Sequence, residues 1–335
     1  RLHRWDDHQN YLLFSIAHLR NMTGYWFLYL VGQKEKNSKK IKISRCKMEK
    51  RISGTTKVMA LIGSPVGHSG SPAMYNYCFQ KDGYDGAYVA FEVTLDTLKD
   101  AMTGIKALNL QGINITMPCK SAVIEYLDEI SPAAKLIGAC NVAVNKGGRW
   151  QGHNTDGIGF VENLKAHGVD VTGKNLCVIG AGGAGTAIIV QCALSGAKSI
   201  SVFNLKDPFF ERAEHMAQNV SSQIPSCDVA VYDLADEKTL LEKIAGSDIL
   251  VNASRAGMHP NDDETPIKNT AAFRPGLVVC DTVYNPRETR FLKEAEAAGS
   301  TPVPGVGMLV YQGAAALKLF TGAEMPVEEI QEKFF

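Results

Sequence analysis

The stretch Leu176-Cys-Val-Ile-Gly-Ala-Gly-Gly-Ala-Gly185 decides how this chain folds. A short apolar strand runs into the turn Gly180-x-Gly182-x-x-Gly185, and an Ala- and Ile-rich helix follows. In this setting the first glycine permits a tight turn, the second lets a pyrophosphate approach the backbone, and the third lets helix and strand pack closely. The helix N-terminus also offers free N–H groups to phosphates. The turn therefore predicts a dinucleotide site, although a plain glycine-rich strand-to-helix turn would look the same.

Short apolar strands and helices alternate on both sides of this turn. Before it, we predict strands at 58–62, 87–93, 111–115, 141–145 and 150–152, and helices at 72–81, 95–108, 120–130 and 131–137. After it, we predict strands at 199–203, 229–231, 249–251 and 277–280, and a helix at 209–220. Such alternation is typical of parallel sheets covered by helices, so the sequence predicts an α/β fold.

Composition excludes several classes of protein. The chain has 335 residues and a formal net charge of zero, so it is long enough for two domains and shows no basic surface for nucleic acid or for a membrane. Its eight cysteines form no CxxC pair, and several lie in apolar runs. We therefore expect a cytoplasmic protein without disulfides and without a metal site.

Residues 1–47 differ from the rest of the chain. They contain two of the three tryptophans and the basic run Lys34-Glu-Lys-Asn-Ser-Lys-Lys-Ile-Lys42. We interpret them as an N-terminal extension of unknown role before Met48, with a targeting or interaction arm as the alternative.

The end of the strand after the glycine turn predicts the choice of cofactor. It reads Phe203-Asn-Leu-Lys-Asp207. Asp207 favours NAD, because an acidic residue at this position accepts hydrogen bonds from the adenosine ribose hydroxyls, whereas Lys206 could serve the extra phosphate of NADP. Alternatively, Asp207 only caps the helix that follows Pro208.

Three polar motifs follow other predicted strands. In His68-Ser-Gly-Ser-Pro72, two hydroxyls at a helix start could bind a carboxylate, or Ser71 could simply be an N-cap. Asn114-Ile-Thr-Met-Pro-Cys-Lys120 follows a strand on the side where ligands bind, although its lysine could be merely solvated. Gly152-His-Asn-Thr-Asp156 occupies a similar junction, where Thr155 or Asp156 could be a helix cap.

Taken together, these motifs resemble those of the shikimate/quinate dehydrogenase family. The resemblance extends from about Met48 to the end of the sequence and includes three further motifs. These are Gly138-Ala-Cys-Asn141, Tyr284-Asn-Pro286 and Gly305-Val-Gly-Met-Leu309 with Gln312.

The resemblance implies a two-domain architecture and a role for each matching residue. It implies an N-terminal α/β substrate domain with a mostly parallel sheet (48–154 and 306–335) and a Rossmann-type NAD(P)-binding domain (155–305), with the last helix crossing back to close the cleft. Lys120 and Asp156 are then the catalytic pair. The implied substrate-binding residues are Ser69, Ser71, Asn114, Thr116, Asn141, Tyr284 and Gln312. The implied cofactor-binding residues are Gly180, Ala181, Gly182, Gly183, Ala184, Gly185, Asn204, Leu205, Lys206, Asp207, Arg255, Gly305 and Met308.

The sequence departs from the family pattern at one informative position. Many NADP-using members have Arg immediately after the residue that matches Asn204, whereas this chain has Leu205. The cofactor is therefore expected to be NAD or NADP, with NAD slightly favoured.

The expected activity is reversible NAD(P)-dependent reduction of 3-dehydroshikimate to shikimate in the pathway to chorismate and the aromatic amino acids. Quinate is a further candidate substrate, and the protein is expected to be a monomer or a homodimer. Three alternatives stay open at this point: an NAD-linked quinate dehydrogenase, a related dehydrogenase of a folate or an amino acid, and a non-catalytic NAD-binding protein on the same scaffold.

Overall fold

The structure is a computed structural model that describes residues 52–207 and 210–335. Its first sheet contains β1 (Lys57–Gly63), β2 (Gly86–Glu92), β3 (Gly112–Ile115), β4 (Glu129–Ile130), β5 (Val142–Lys146) and β6 (Arg149–His153). The spatial order is β2-β1-β3-β5-β6-β4. The pairs β1-β2, β1-β3 and β4-β6 are parallel, and β5 is antiparallel to both of its neighbours. The expectation of a mostly parallel sheet is confirmed.

The second sheet contains β7 (Asn175–Ile179), β8 (Ser199–Asn204), β9 (Asp228–Asp233), β10 (Ile249–Asn252), β11 (Val278–Asp281) and β12 (Thr301–Val303). Its order is β12-β11-β10-β7-β8-β9, and every pair is parallel. Counted from β7, this is the strand order of a doubly wound dinucleotide-binding sheet. The strand order reverses between β7 and β10, and in sheets of this type ligands bind beside the carboxyl ends of the strands at this point.

Helices cover both sheets. They are α1 (Ser71–Asp82), α2 (Leu98–Ala107), α3 (Pro132–Ile137), α4 (Asp156–Ala166), α5 (Gly183–Leu194), α6 (Phe210–Gln223), α7 (Glu237–Ala245), α8 (Arg290–Ala297), α9 (Gly305–Thr321) and α10 (Val327–Phe334). Apolar clusters lie on both faces of each sheet. Helix α9 belongs to both halves, because Met308 packs with the second sheet while Phe320 packs with the first. No helix among the described residues is long and apolar enough to cross a membrane.

Two sequence predictions about local structure are wrong. A helix over 120–130 does not form: the segment makes a 3₁₀ helix at Ala122–Tyr126 and then strand β4, which pairs with β6. Ser71 is not an N-cap, since it is the first residue of α1 and Gly70 precedes it without a side-chain cap. The extension at 1–47 and the helix start at 208–209 lie outside the described residues.

Glycines on α4 let three helices meet closely beside the cavity. A Cβ atom on Gly157 would lie 2.3 Å from the carbonyl oxygen of Ala187 in α5, and one on Gly159 would lie 2.6 Å from the backbone nitrogen of Gln312 in α9. Neither space can hold a methyl group, because the opposing atoms are backbone. Helix α4 is thereby fixed between the two halves, with Asp156 as its first residue.

Candidate active site

A cavity of about 370 Å³ lies at the carboxyl ends of β1 and β3 and extends to the N-termini of α5 and α9. All nine residues expected to be catalytic or substrate-binding line it: Ser69, Ser71, Asn114, Thr116, Lys120, Asn141, Asp156, Tyr284 and Gln312. Ala184, Gly305 and Met308 of the expected cofactor set line it as well. The structure therefore brings together residues that are up to 243 positions apart in the sequence, as between Ser69 and Gln312.

Lys120 and Asp156 form an ion pair in this cavity. Lys120 Nζ donates to Asp156 Oδ2 at 2.6 Å, and the side chains are 28% and 13% exposed. The Lys120 carbonyl oxygen accepts from the backbone N–H of Cys140 at 2.8 Å, which holds the lysine next to the Asn141 strand. An ammonium group has three protons, so Lys120 keeps donors for a second partner while it is bound to Asp156.

Asn141 holds Asp156 from the other side. Its Nδ2 donates to Asp156 Oδ1 at 2.7 Å and lies 3.4 Å from Gln312 Oε1. Its Oδ1 accepts from the backbone N–H of Thr155 at 2.7 Å. The alternative that Thr155 or Asp156 only caps the helix is therefore wrong. Thr155 makes no side-chain cap bond, and both carboxylate oxygens of Asp156 accept from side chains.

A buried tyrosine orients Asn114. Tyr88, on β2, donates its hydroxyl to Asn114 Oδ1 at 2.7 Å and stacks on Tyr75 with ring centroids 4.5 Å apart. Burial raises the pKa of the Tyr88 hydroxyl well above its ordinary value, so the group stays a donor. This hydrogen bond fixes the orientation of the Asn114 side chain, which lines the cavity.

The Ser69–Ser71 loop presents hydroxyl groups at the start of α1. Ser69 Oγ accepts from the backbone N–H of Ser71 at 3.2 Å, and both residues line the cavity. Ser69, rather than Ser71, therefore satisfies a donor at the helix start. The Ser71 hydroxyl makes no cap bond and can face a ligand.

The glycine turn has the shape that a pyrophosphate needs. Gly180 has φ of +100°, and a Cβ there would lie 2.9 Å from the carbonyl oxygen of Ala253. Gly185 packs so closely that a Cβ would lie 2.1 Å from the Gly180 carbonyl oxygen. By contrast, Cβ atoms on Gly182 and Gly183 would meet nothing within 4 Å. Open space therefore lies where the N-terminus of α5 begins, and these residues fit a dinucleotide.

The remaining expected cofactor residues lie outside the lining of the cavity. Asn204, at the end of β8, accepts from the Ala181 N–H at 3.2 Å and donates to Asp207 Oδ1 at 3.4 Å. Lys206 Nζ lies 3.7 Å from Asp233 Oδ2, and Leu205 is 57% exposed. Arg255 follows β10 in the loop that begins with Ala253, beside the glycine turn.

Asp281 supports the loop that carries Tyr284. This buried carboxylate accepts from Thr289 Oγ1 at 2.7 Å, from the Val283 N–H at 2.9 Å and from Asn252 Nδ2 at 3.0 Å. Burial raises its pKa to about 6 even though these donors oppose the shift. Asp281 thus connects the end of β10, the Tyr284 loop and the start of α8.

Sequence reasoning missed several residues around the cavity. Tyr88 looks like any alternating strand residue, and Asp281 like the polar end of a strand. Phe335 also lines the cavity, and nothing near it in the sequence resembles a site motif. Their roles follow only from contacts between distant parts of the chain.

Known proteins match this chain along most of its length. The family model for the shikimate dehydrogenase substrate binding domain matches residues 61–143, and the one for the shikimate 5'-dehydrogenase C-terminal domain matches residues 305–333. A shikimate dehydrogenase (NADP(+)) of Streptococcus uberis is 47% identical over 291 residues, which is 86% of this chain and 98% of the relative. The chain belongs to the shikimate dehydrogenase family. The expectation drawn from its motifs is confirmed.

Two further relatives of this family differ in what their names state. A quinate/shikimate dehydrogenase of Escherichia coli is 41% identical and covers 84% of this chain and 97% of the relative. The crystal structure of the Listeria monocytogenes shikimate 5-dehydrogenase, in complex with shikimate and NAD, has a TM-score of 0.84 and 44% identity, covering 86% of this chain and all of that one. The expected two-sheet α/β fold and membership in a family of dehydrogenases are confirmed.

Proposed function

We propose that this protein is a shikimate dehydrogenase that reversibly reduces 3-dehydroshikimate to shikimate with NAD(P)H, in the pathway to chorismate and the aromatic amino acids. The observation that carries the proposal is the Lys120–Asp156 pair, whose Nζ and Oδ2 atoms lie 2.6 Å apart inside the cavity. The cavity is lined by the Ser69–Ser71 loop, called the serine loop below, and by Ala184, Gly305 and Met308. A proton donor placed between a carboxylate site and a dinucleotide site is what this function would require.

Lys120 and Asp156 are the catalytic residues in this proposal. When bound, the nicotinamide supplies the hydride. Lys120 hydrogen-bonds the carbonyl oxygen of the substrate and gives it the proton that completes the alcohol, while Asp156 orients the ammonium group. Asn141 supports this role, because its hydrogen bond to Asp156 Oδ1 directs the other carboxylate oxygen at Lys120.

The substrate residues divide by chemistry. Ser69 and Ser71 bind the carboxylate with hydroxyl donors at a helix start. Asn114, Thr116 and the other predicted residues bind the ring hydroxyls. The other predicted substrate-binding residues are Asn141, Tyr284 and Gln312. They line the same cavity, which supports this division.

The glycine turn would hold the cofactor in this proposal. Gly180–Gly185 would bind the pyrophosphate, Gly305 and Met308 the nicotinamide end, and Asn204–Asp207 with Arg255 the adenosine end. The exposed Leu205 offers no charge to an NADP phosphate, which supports NAD as the slightly preferred cofactor.

The domain division follows the two sheets. We assign residues 48–154 and 306–335 to the substrate domain and 155–305 to the NAD(P)-binding domain, in line with sheets built from β1–β6 and β7–β12. The seven cysteines of the described residues are free and buried, which supports a reducing, cytoplasmic setting. The monomer or homodimer state stays a prediction for size-exclusion chromatography with light scattering.

A two-by-two rate measurement tests the function: shikimate or quinate as substrate, with NAD⁺ or NADP⁺ as cofactor. We expect turnover of shikimate with at least one cofactor. No reduction of either cofactor with either acid would refute the proposal, and turnover of quinate alone would replace it with a quinate dehydrogenase.

Lys120→Ala tests the proton-transfer role. We expect kcat to fall by about a hundredfold or more, which is the usual contribution of a positioned acid. Lys135→Ala, which removes an exposed lysine of α3, is the matched control and should keep wild-type kinetics. If Lys120→Ala raised only KM and left kcat near the wild-type value, Lys120 would bind substrate without transferring the proton.

A further inference from the structure

Phe335 reaches the cavity from a distant part of the chain. It directly follows α10 and lines the cavity together with Ser69, Gly70 and Ser71. A Cβ atom on Gly70 would lie 3.5 Å from Phe335 Cζ and 3.6 Å from Cε1, so the ring edge faces the backbone between Ser69 and Ser71. An apolar ring therefore borders the end of the cavity where hydroxyl donors converge.

Helix α10 is fixed to α1, which begins with the serine loop. Glu329 accepts from the Tyr77 hydroxyl and from Lys81 Nζ, and Lys333 Nζ lies 4.0 Å from the centroid of the Tyr77 ring. Ile330 is fully buried in the core of the first half. These contacts are distributed along α10, so the helix is packed firmly against α1 and holds Phe335 beside the serine loop.

The neighbouring phenylalanine faces elsewhere. Phe334 packs edge-on against Tyr77, with ring centroids 5.6 Å apart, and does not line the cavity. Two adjacent residues of the same type thus have different surroundings. Of the two, only Phe335 borders the cavity.

The two candidate acids differ at the carbon that carries the carboxylate. In shikimate this carbon is planar and belongs to a double bond, whereas in quinate it is tetrahedral and carries an additional hydroxyl group. A phenyl ring offers this hydroxyl no hydrogen-bond partner, and a hydroxyl that loses water without a replacement partner is penalised. A planar, apolar carbon meets the ring without such a penalty.

We propose that Phe335 is a specificity-determining residue that favours shikimate over quinate by covering the carboxylate end of the cavity. This inference rests on the proposed function, with Ser69 and Ser71 binding the carboxylate. The ring also keeps water away from those hydroxyl groups, which strengthens their hydrogen bonds to the carboxylate.

The test compares Phe335→Ala, Phe335→Leu and Phe334→Ala with the wild type, each with shikimate and quinate under the better cofactor. In Phe335→Ala we expect KM for shikimate to rise about fivefold with little change in kcat, and the kcat/KM ratio of shikimate to quinate to fall about tenfold, a size typical for a hydroxyl against an apolar wall. Phe335→Leu keeps an apolar wall and should restore most of the ratio. Phe334→Ala should keep the wild-type ratio even if its melting temperature falls.

The outcomes separate this inference from the function on which it rests. A wild-type protein that turns over neither acid refutes the proposed function. A wild-type protein that turns over shikimate, with the same substrate ratio in Phe335→Ala, refutes only the role of Phe335. An equal loss of ratio in Phe334→Ala and Phe335→Ala also contradicts it, because the effect would then come from loosening α10.

Discussion

Gly159→Ala should damage both the stability and the chemistry of this protein. The new methyl group would lie 2.6 Å from the Gln312 backbone nitrogen and from the Met308 carbonyl oxygen, whereas ordinary contacts begin at 3.4 Å. Helix α9 must therefore move away from α4 by about 0.8 Å. Overpacking of this kind costs about 1–3 kcal/mol. The hydrogen bond from Asn141 to Gln312, already 3.4 Å long, cannot survive such a shift.

Two measurements read out this change. The melting temperature should fall by about 2–10 °C, and kcat/KM for shikimate should fall about tenfold or more, because displacements near 1 Å at an active site are costly. Gly104→Ala in α2 is the matched control: its Cβ meets nothing within 4 Å. It should gain about 0.5–1 kcal/mol from helix propensity and keep wild-type kinetics. A Gly159→Ala protein with wild-type melting temperature and kinetics would show that α4 and α9 do not need this close approach.

Four other substitutions test three separate features: the glycine turn, the buried Asp281 and the cofactor preference. Gly182→Ala should fold normally but raise KM for the cofactor, since its Cβ occupies only open space. Gly185→Ala should fail to bind cofactor and should melt at a lower temperature, since its Cβ would lie 2.1 Å from a backbone oxygen. Thermal denaturation and cofactor titration distinguish the two variants. Because burial raises the pKa of Asp281 to about 6, the folded state holds that proton more tightly than the unfolded state and loses stability as pH rises through that value. Between about pH 4 and about pH 7, the free energy of unfolding should therefore fall by about 2–3 kcal/mol less in Asp281→Asn than in the wild type. Urea titrations measure this difference, and equal falls in the two proteins would contradict the prediction. Leu205→Arg should shift the kcat/KM ratio toward NADP by about tenfold or more through a charge-assisted bond to the phosphate, and an unchanged ratio would place the adenosine end elsewhere.

Local signals predicted the two series of strands well. The strand at 176–179, the glycine turn and the helix predicted from Ser131 all depend on residues within one or two turns of each other. In the structure Ser131 caps α3, since its Oγ accepts from the Ala134 N–H. The prediction failed at 120–130, where the local pattern favours a helix. There β4 pairs with β6 in the register Glu129 to Gln151, and this contact across the chain overrides helix propensity.

For the site, the motifs indicated which residues would converge but not how they would be held. The sequence by itself determined the dinucleotide turn, because only glycine tolerates the positive φ at Gly180 and the close packing at Gly185. Only the tertiary structure decided that Asn141 bridges Asp156 and Gln312, that Tyr88 orients Asn114, and that Phe335 faces the serine loop. Glycine stereochemistry acts within a few residues, whereas these contacts exist only once separate helices and strands pack together.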